Sequence, residues 1–386
     1  SAFGKTYDYL LDGHLRAKEL GRQRISINNA DFTDIRIRDT SWQYIDFIDC
    51  EFSGLYTIHL EWLTDSTFKN CHFKGHFGLG HARDVKFINC TVDGESTIAF
   101  FSKSTGLVFE GSEFLNPNGD PNHQGFISSK NEMTLINCKA RNFAWGGHNK
   151  LSLKNCKLIN GSLDTAYSGE YSDKSKMPYS DFLLEDCDFT GGVSMINPKL
   201  NSLILRNCKL GVFQTEGSIV RGDVLAEGIK EGHLNLSASK FQGKLMVRNC
   251  SFYRTYDGYS FRCGGCVPTH TLLENIDCSS SPTDVTSTFG PRKEWKDPPP
   301  NKLFIIRNCK IPHLKVDWAQ TEHLRIENCK FNNLDIKNGR IGKLEIIGCT
   351  LVKLDVSNTQ VKTHDVRVPE GDAECVTTGS NIARIR

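Results

Sequence analysis

The chain has 386 residues, and its 47 Lys and Arg against 45 Asp and Glu leave a formal net charge of +2. The two signs are interleaved, so no strong field is set up and a nucleic-acid partner is not expected. No apolar run approaches the ~18 residues of a membrane span, and fifteen cysteines in a chain this long point away from the disulfide framework of a small secreted domain.

Residues 7 to 20 carry Tyr9, Leu10, Leu15 and Leu20 among charged residues. That pattern suits one short helix, so residues 1–25 are expected to form a helical cap. From Ala30 the chain falls into blocks of five, opened in turn by Ala30, Ile35, Thr40, Ile45, Cys50, Leu55 and Leu60. A one-residue slip near Asp65 restores the frame at Ser66 and Cys71, and a one-residue deletion near Asp84 restores it at Val85 and Cys90. Such slips cost little if they fall at surface corners. Farther on, MTLINCKA, LSLKNCKL, FLLEDCDF, SLILRNCKL and KLMVRNCSF repeat one two-block unit, and Ser112 of LVFEGSEF stands at the Cys position. Insertions are read at 115–132, 164–181 and 253–302. Long insertions in a regular array are places where function is added. The last holds Pro298, Pro299, Pro300 and one plausible coil at 273–278, and is expected to be an excursion whose shortening leaves stability intact.

The period is strictest from Phe304 to Val361. The third position of each block is aliphatic or aromatic, from Ile306 and Ile311 through Val356 to Val361, with Thr321 the exception. The first position cycles through large aliphatic or aromatic, Cys, Leu and small: Phe304, Cys309, Leu314, Ala319; then Leu324, Cys329, Leu334, Gly339; then Leu344, Cys349, Leu354, Thr359. A residue type that returns every twenty residues lies on one side of a coil that closes every twenty residues, and stacked coils make a solenoid. First and third positions share the inward face, as two-residue alternation requires, and the second positions, Lys, Thr, Gln, Arg, Asp and Glu almost throughout, face water. Coils stacked ~4.8 Å apart would pair as parallel strands. Cysteines 50, 71, 90, 138, 156, 187, 208, 250, 309, 329 and 349 fit an inward column of buried, reduced thiols. Cys263, Cys266 and Cys375 are expected to be the accessible ones. After Val361 the period is lost, and residues 362–386 are read as a cap or tail.

Blocks such as Ala30-Asp31-Phe32-Thr33-Asp34 and Cys50-Glu51-Phe52-Ser53-Gly54 resemble the pentapeptide-repeat family, whose pattern is a small residue, Asn or Asp, Leu or Phe, a polar residue, then Gly. Other blocks place large aliphatics where that family prefers Ala or Cys. The resemblance implies an all-β fold, a right-handed parallel β-helix with four-sided coils of about twenty residues over residues 26–361, and it carries over no catalytic residue. It also implies kinship with parts of bacterial effectors delivered into host cells. The mimicry of DNA known in the family needs a strongly acidic surface, which this chain lacks.

Three groups of residues could carry chemistry. His81, His148 and the nearby His123, with Asp120, Trp145, Asp164 and Tyr167, gather carboxylates, imidazoles and aromatics on what is expected to be one face. They suit binding of a sugar or another polar ligand, or general acid–base work. LINGSLDTAYSG (158–169) distantly resembles segments of polysaccharide-cleaving β-helices. The other reading is that His81 and His148 point inward or cap corners. Cys263 and Cys266, in a CxxC, with His270 and Cys278 suit a tetrahedral Zn²⁺, a redox pair or disulfide, or ordinary thiols in a loop. No other cofactor is expected. His72, His76 and His81 face different ways and do not suit a shared metal. Within 253–302, Tyr256, Tyr259, Phe261, Arg262, Arg292 and Trp295 are the residue types enriched where partners bind. No nucleophile elbow, P-loop or dinucleotide fingerprint is present, and no catalytic residue is assigned. The expectation is a non-enzymatic scaffold that binds another protein through its loops and one coil face. Its place would be the cytoplasm, or a host cytosol reached without a cleaved signal peptide. The rival is a carbohydrate-active lyase or hydrolase working at His81, His148 and Asp164.

Overall fold

The computed structural model describes residues 24–33, 37–93, 98–100, 105–115, 125–129, 131–147, 149–164, 178–195, 199–215, 218–253, 260–264, 268–279, 286–290, 301–368, 373–382 and 385. Among these residues the chain is all β, a parallel β-solenoid of about 12 turns of about 21 residues with no helix. The helix expected over 7–20 lies outside the described residues. The chain divides into two compact units, 1–193 and 194–386.

In the first unit, short strands stack in parallel, with Ile25 opposite Ile45, Asp46 opposite Thr67, Thr67 opposite Lys86 and Lys86 opposite Val108. The step from Asp46 to Thr67 is one residue longer than twenty, and the step from Thr67 to Lys86 is one shorter. The changes of length were legible in the sequence, but not their place. Gly54 lies opposite Gly75 and Ile58 opposite Phe77, so the step changes from 21 to 19 between Gly54 and Ile58, and Thr64 opposite Arg83 already keeps the shorter step. Asp65 and Asp84, where the slips were expected, are regular corners with φ of 49° and 55°, a left-handed conformation that Asp and Asn tolerate better than other side chains. The inward positions are filled by stacked rings. Phe47, Phe68, Phe87 and Phe109 form one column with centroids 4.8, 5.0 and 4.5 Å apart. Phe32, Phe52 and Phe73 form a second at 4.8 and 4.9 Å. The columns meet edge to face, as ring quadrupoles prefer, with Phe47 and Phe52 at 5.6 Å and 72°.

The Asn-Cys dipeptides repeat one device. Asn in the left-handed conformation turns the corner, as at Asn70, Asn89, Asn137 and Asn155, and the next residue points inward. The thiol of Cys71 then donates to the carbonyl of Lys69 at 3.4 Å and to that of Phe47, one coil back, at 3.5 Å. Cys90, Cys138 and Cys156 make the same two bonds. Ser112 makes them too, through its hydroxyl, at 3.2 and 3.4 Å to Glu110 and Phe87. A small side chain with one weak donor thus fills the corner and supplies carbonyls that would otherwise be buried with less than their full complement. Thirteen of the fourteen described cysteines are buried and unbridged, and Cys375 is exposed.

In the second unit the final coils keep a step of twenty: Phe304 is opposite Leu324, Leu324 opposite Leu344, and Leu344 opposite His364. Each turn pairs through four short ladders, seen for one coil at 304–307, 310, 313–315 and 320–321. First and third positions are buried in every block from 304 to 361. The exception in residue type, Thr321, is buried as well; its hydroxyl donates to Asn301 Oδ1 or to the His323 carbonyl, at 3.1 and 3.2 Å. The wet second positions have one exception in Asp335, which is buried beside His313 and Lys337.

The structure corrects two boundaries. Coil pairing continues past Val361: Thr363–Val366 lie opposite Lys343–Ile346, and Glu374–Val376 opposite Lys353–Asp355. The Asn381 amide closes the ladder, accepting from the Val361 N–H and donating to its carbonyl, both at 2.8 Å. It stands in for the backbone of a further strand. The described parts of the segment 253–302 belong to the coils. His270–Asp277 lies between Lys244–Ser251 and Leu303–Arg307, so the coil read at 273–278 is there and the coils on either side of it are not neighbours. Phe261–Gly264 and Thr286–Gly290 pair with each other, and the latter continues to His313–Lys315. Gly125–Ser129, within 115–132, likewise pairs with Phe143–Gly147.

Candidate functional site

The register decides how the first group of candidates relates. Asp164 is opposite Gly146, Gly146 opposite Ser128, Ser128 opposite Ala99 and Ala99 opposite Gly78. Its backbone therefore stands four coils along from Gly78, roughly 19 Å at ~4.8 Å per coil, and Gly78 is itself three residues before His81. His81 is opposite Trp62 in another column. The backbone does not bring His81 and Asp164 to one place. Trp145 is fully buried and points into the core, with its ring 5.5 Å from that of Phe114. Asp120, His123, His148 and Tyr167 lie outside the described residues.

The second group is also drawn into packing. Phe261, expected at a partner surface, is fully buried and stacks on Phe252 at 5.4 Å. Its position opposite Leu234 in the ladder makes it an inward residue. Arg262, next to it, is half-buried and opposite Asn235 and Thr288. Cys263, expected to be accessible, is buried for the same reason as Phe261, two residues along one strand, and its thiol donates to the Leu236 carbonyl. Cys278 is fully buried, and burial pushes its thiol up to about 12, as it does that of Cys250. Thiols held protonated in this way are poor nucleophiles. His270 is half-buried with Nδ1 3.3 Å from the hydroxyl of Thr269. No group of three or more His, Cys, Asp or Glu side chains among the described residues is placed to hold a metal. Cys266, Tyr256, Tyr259, Arg292 and Trp295 lie outside the described residues.

What the sequence reading missed is a groove on the second unit. It runs along the fourth block of the last coils, has a volume of about 850 Å³, and is lined by the second positions Gln320, Arg340 and Gln360 and the fourth positions Glu322, Gly342 and Lys362. Asn381 adds to the lining. Two features shape it. The inward first positions here, Ala319, Gly339 and Thr359, are all small. The middle coil carries Gly342, where a Cβ would come within 2.4 Å of the Glu322 carbonyl oxygen. Only glycine allows that approach. A glycine in the outward column was the signal that could have pointed here.

The groove also differs electrostatically from much of the unit's outward surface. Elsewhere on that surface several charges are paired between and along coils, while others, such as Lys310 and Lys330, make no ion pair among the described residues. Arg307 meets Glu274 at 2.7 Å, His323 meets Glu345 at 2.5 Å, and Arg325 meets Glu327 at 2.8 Å. Lys337 reaches Asp335 at 3.3 Å and Asp355 at 3.5 Å. Burial pushes both the Asp335 and Asp355 carboxyls up, yet opposing contacts together hold them below the usual range. For Asp335 these are His313 and Lys337, and for Asp355 the Ser357 side chain and backbone N–H and then Lys337. In the groove, the side chains of Arg340, Glu322 and Lys362 make no ion pair or hydrogen bond among the described residues.

Comparison with known proteins finds no family model, no curated protein and no solved structure that matches the chain.

Proposed function

We propose that the protein is a non-enzymatic scaffold that binds another protein through the outer surface of its coils. The observation that carries this reading is a groove of about 850 Å³ on the outer surface whose Arg340, Glu322 and Lys362 side chains make no ion pair or hydrogen bond among the described residues. Side chains held between stacked strands are preorganised, and recognition gains from groups that need no reordering on contact. The candidate catalytic pair gives no matching support to a carbohydrate-active enzyme, because His81 and Asp164 stand several coils apart in different columns. The pentapeptide-like blocks favour the same kind of protein, the interaction domain of a bacterial effector, and the free buried thiols suit a reducing compartment.

Affinity capture with the intact chain from bacterial and eukaryotic lysates tests the reading, run beside lyase and hydrolase assays on polysaccharides. The expected result is a stoichiometric, salt-sensitive complex with one protein and no sugar product. Release of unsaturated or reducing ends that disappears with Asp164→Ala would replace the scaffold by an enzyme.

A further inference from the structure

We infer that the groove is a docking site for an extended acidic peptide carrying two carboxylates two residues apart, Asp/Glu-x-Asp/Glu. The inference rests on the scaffold reading and assigns its site and the chemistry of its partner. Arg340 and Lys362 are the two cations that line the groove, and Glu322 is its one carboxylate, so the site carries net positive charge. Arg340 is one coil before Lys362 and two residues away along the strand direction, counting from its opposite residue Gln360. One coil step of ~4.8 Å and two residues of ~3.3 Å put their backbone positions roughly 8 Å apart. Side chains at i and i+2 of an extended peptide share one face and repeat about every 6.6 Å, a spacing that two long, unpaired cationic side chains can reach. Arg340 can meet one carboxylate through both arms of its guanidinium, and Lys362 the other as a point charge.

The same lining decides between acidic ligands. It contains no aromatic ring on which a sugar face would stack. It does contain the Gln320 amide, which makes no side-chain hydrogen bond among the described residues and offers both a donor and an acceptor to a peptide group. Gln360 is already engaged, donating to the Gly379 carbonyl at 3.0 Å. Glu322 lies two coils from Lys362 in one column and, like Lys362, one coil and two residues from Arg340, and so sets the direction of the ligand, with its acidic end towards Lys362.

Fluorescence anisotropy with the intact protein and a fluorescein-labelled Gly-Ser-Glu-Gly-Glu-Gly-Ser peptide tests this, against peptides with Gln or Lys in place of both Glu and against hexagalacturonate. The expected result is saturable binding of the Glu peptide alone, weakening as salt rises. Arg340→Glu with Lys362→Glu is expected to lose it by roughly tenfold or more and to gain the Lys peptide, with the melting temperature unchanged. Equal binding of the Glu and Gln peptides, or binding of hexagalacturonate instead, would overturn the assignment. So would stoichiometric lysate capture that survives the double substitution, and in that case the scaffold reading stands while this site falls. Absence of any captured protein removes the scaffold reading and this one with it.

Discussion

Residues 45–114 and residues 303–361 build the same kind of coil from different cores, and the contrast separates what a solenoid needs from what it tolerates. The first stretch stacks phenylalanines, and its coil step varies: 21 residues from Asp46 to Thr67, 19 from Thr67 to Lys86 and 22 from Lys86 to Val108. The ring column nevertheless continues across all three steps. The second stretch stacks Leu, Ile and Val, and each step is twenty residues. Length is therefore absorbed locally, as between Gly54 and Ile58, while the identity of each inward column is kept. Flat rings stack on their own kind at about the coil repeat. Branched aliphatics have no such face and rely on close packing in register.

The largest way to disturb this arrangement is to take a coil out. A flexible linker replacing 279–302 removes Thr286–Gly290, which pairs with Phe261–Gly264 on one side and His313–Lys315 on the other. It also removes Asn301, whose buried amide donates to the Pro268 carbonyl and to Thr271 Oγ1. Neighbour contacts carry solenoid stability, so loss of the cooperative melting transition of the second unit is expected by circular dichroism. A variant that melted like the parent would show that these ladders contribute little.

Single core truncations sharpen the comparison. Phe68→Ala breaks a ring column in the middle and should cost about 3–5 kcal/mol, and Ile326→Ala in the aliphatic core about 2–5 kcal/mol. Lys330→Ala, at an exposed second position, should stay within about 0.5 kcal/mol of the parent. Denaturant titration measures all three. If Phe68→Ala cost no more than Lys330→Ala, stacking would not be what holds the first unit together.

The repeat frame was legible because every inward residue answers to one rule, burial at the first and third positions, and the changes of coil length left the columns intact; the slips were read near Asp65 and Asp84, whereas the register shifts between Gly54 and Ile58. The segment 253–302 was misread for a physical reason. Its strand His270–Asp277 follows the rule, with Thr271, Leu273, Ile276 and Cys278 buried. The strands Phe261–Gly264 and Thr286–Gly290 are only four and five residues long, and a window that short shows little alternation. Once Phe261 and Cys263 are seen to be two residues apart in one strand, their burial follows. The groove was illegible for another reason. It depends on which charges lack partners, and sequence spacing alone does not show that Arg325 reaches Glu327 while Arg340 reaches nothing.

A smaller effect tests the corners. Gly348 takes the left-handed corner that Asn328 holds one coil earlier, with φ of 65° against 53°, and a Cβ there would meet Asn328 Oδ1 at 2.8 Å. Gly348→Ala should cost about 1–2 kcal/mol, the left-handed penalty of an ordinary L residue. Gly348→Asn should cost less, because stacked corner amides bond to each other elsewhere, as Asn275 does to Asn249 at 2.8 Å. Equal losses for the two substitutions would mean that space, not backbone conformation, selects glycine here.

The smallest effect concerns two carboxylates on the outward side of the aliphatic coils, and their signs are opposite. Burial pushes Asp335 up, but the contacts with His313 at 3.0 Å and Lys337 at 3.3 Å hold it below the usual carboxylate range. A depressed carboxyl contributes stability that is present above its unfolded value of about 3.9 and lost as pH falls through and below it. Asp317 is pushed up, first by burial and then by the charge of Asp335, although its Oδ1 accepts the Lys337 N–H at 3.0 Å. The folded chain therefore holds a proton on Asp317 more tightly than the unfolded chain does, and stability is lost as pH rises through the carboxylate range. At pH 7 Asp335→Asn should lower stability by about 1 kcal/mol. Asp317→Asn, whose amide oxygen can still accept the Lys337 N–H, should leave the melting temperature equal or slightly higher. Both differences should shrink as the pH falls below 4, where Asp317 is protonated and Asp335 progressively loses its charge. Melting curves of the parent and both variants from pH 3 to pH 7 measure this, and a loss of stability at pH 7 for Asp317→Asn as large as that for Asp335→Asn would show that the two carboxylates are held by the same forces after all.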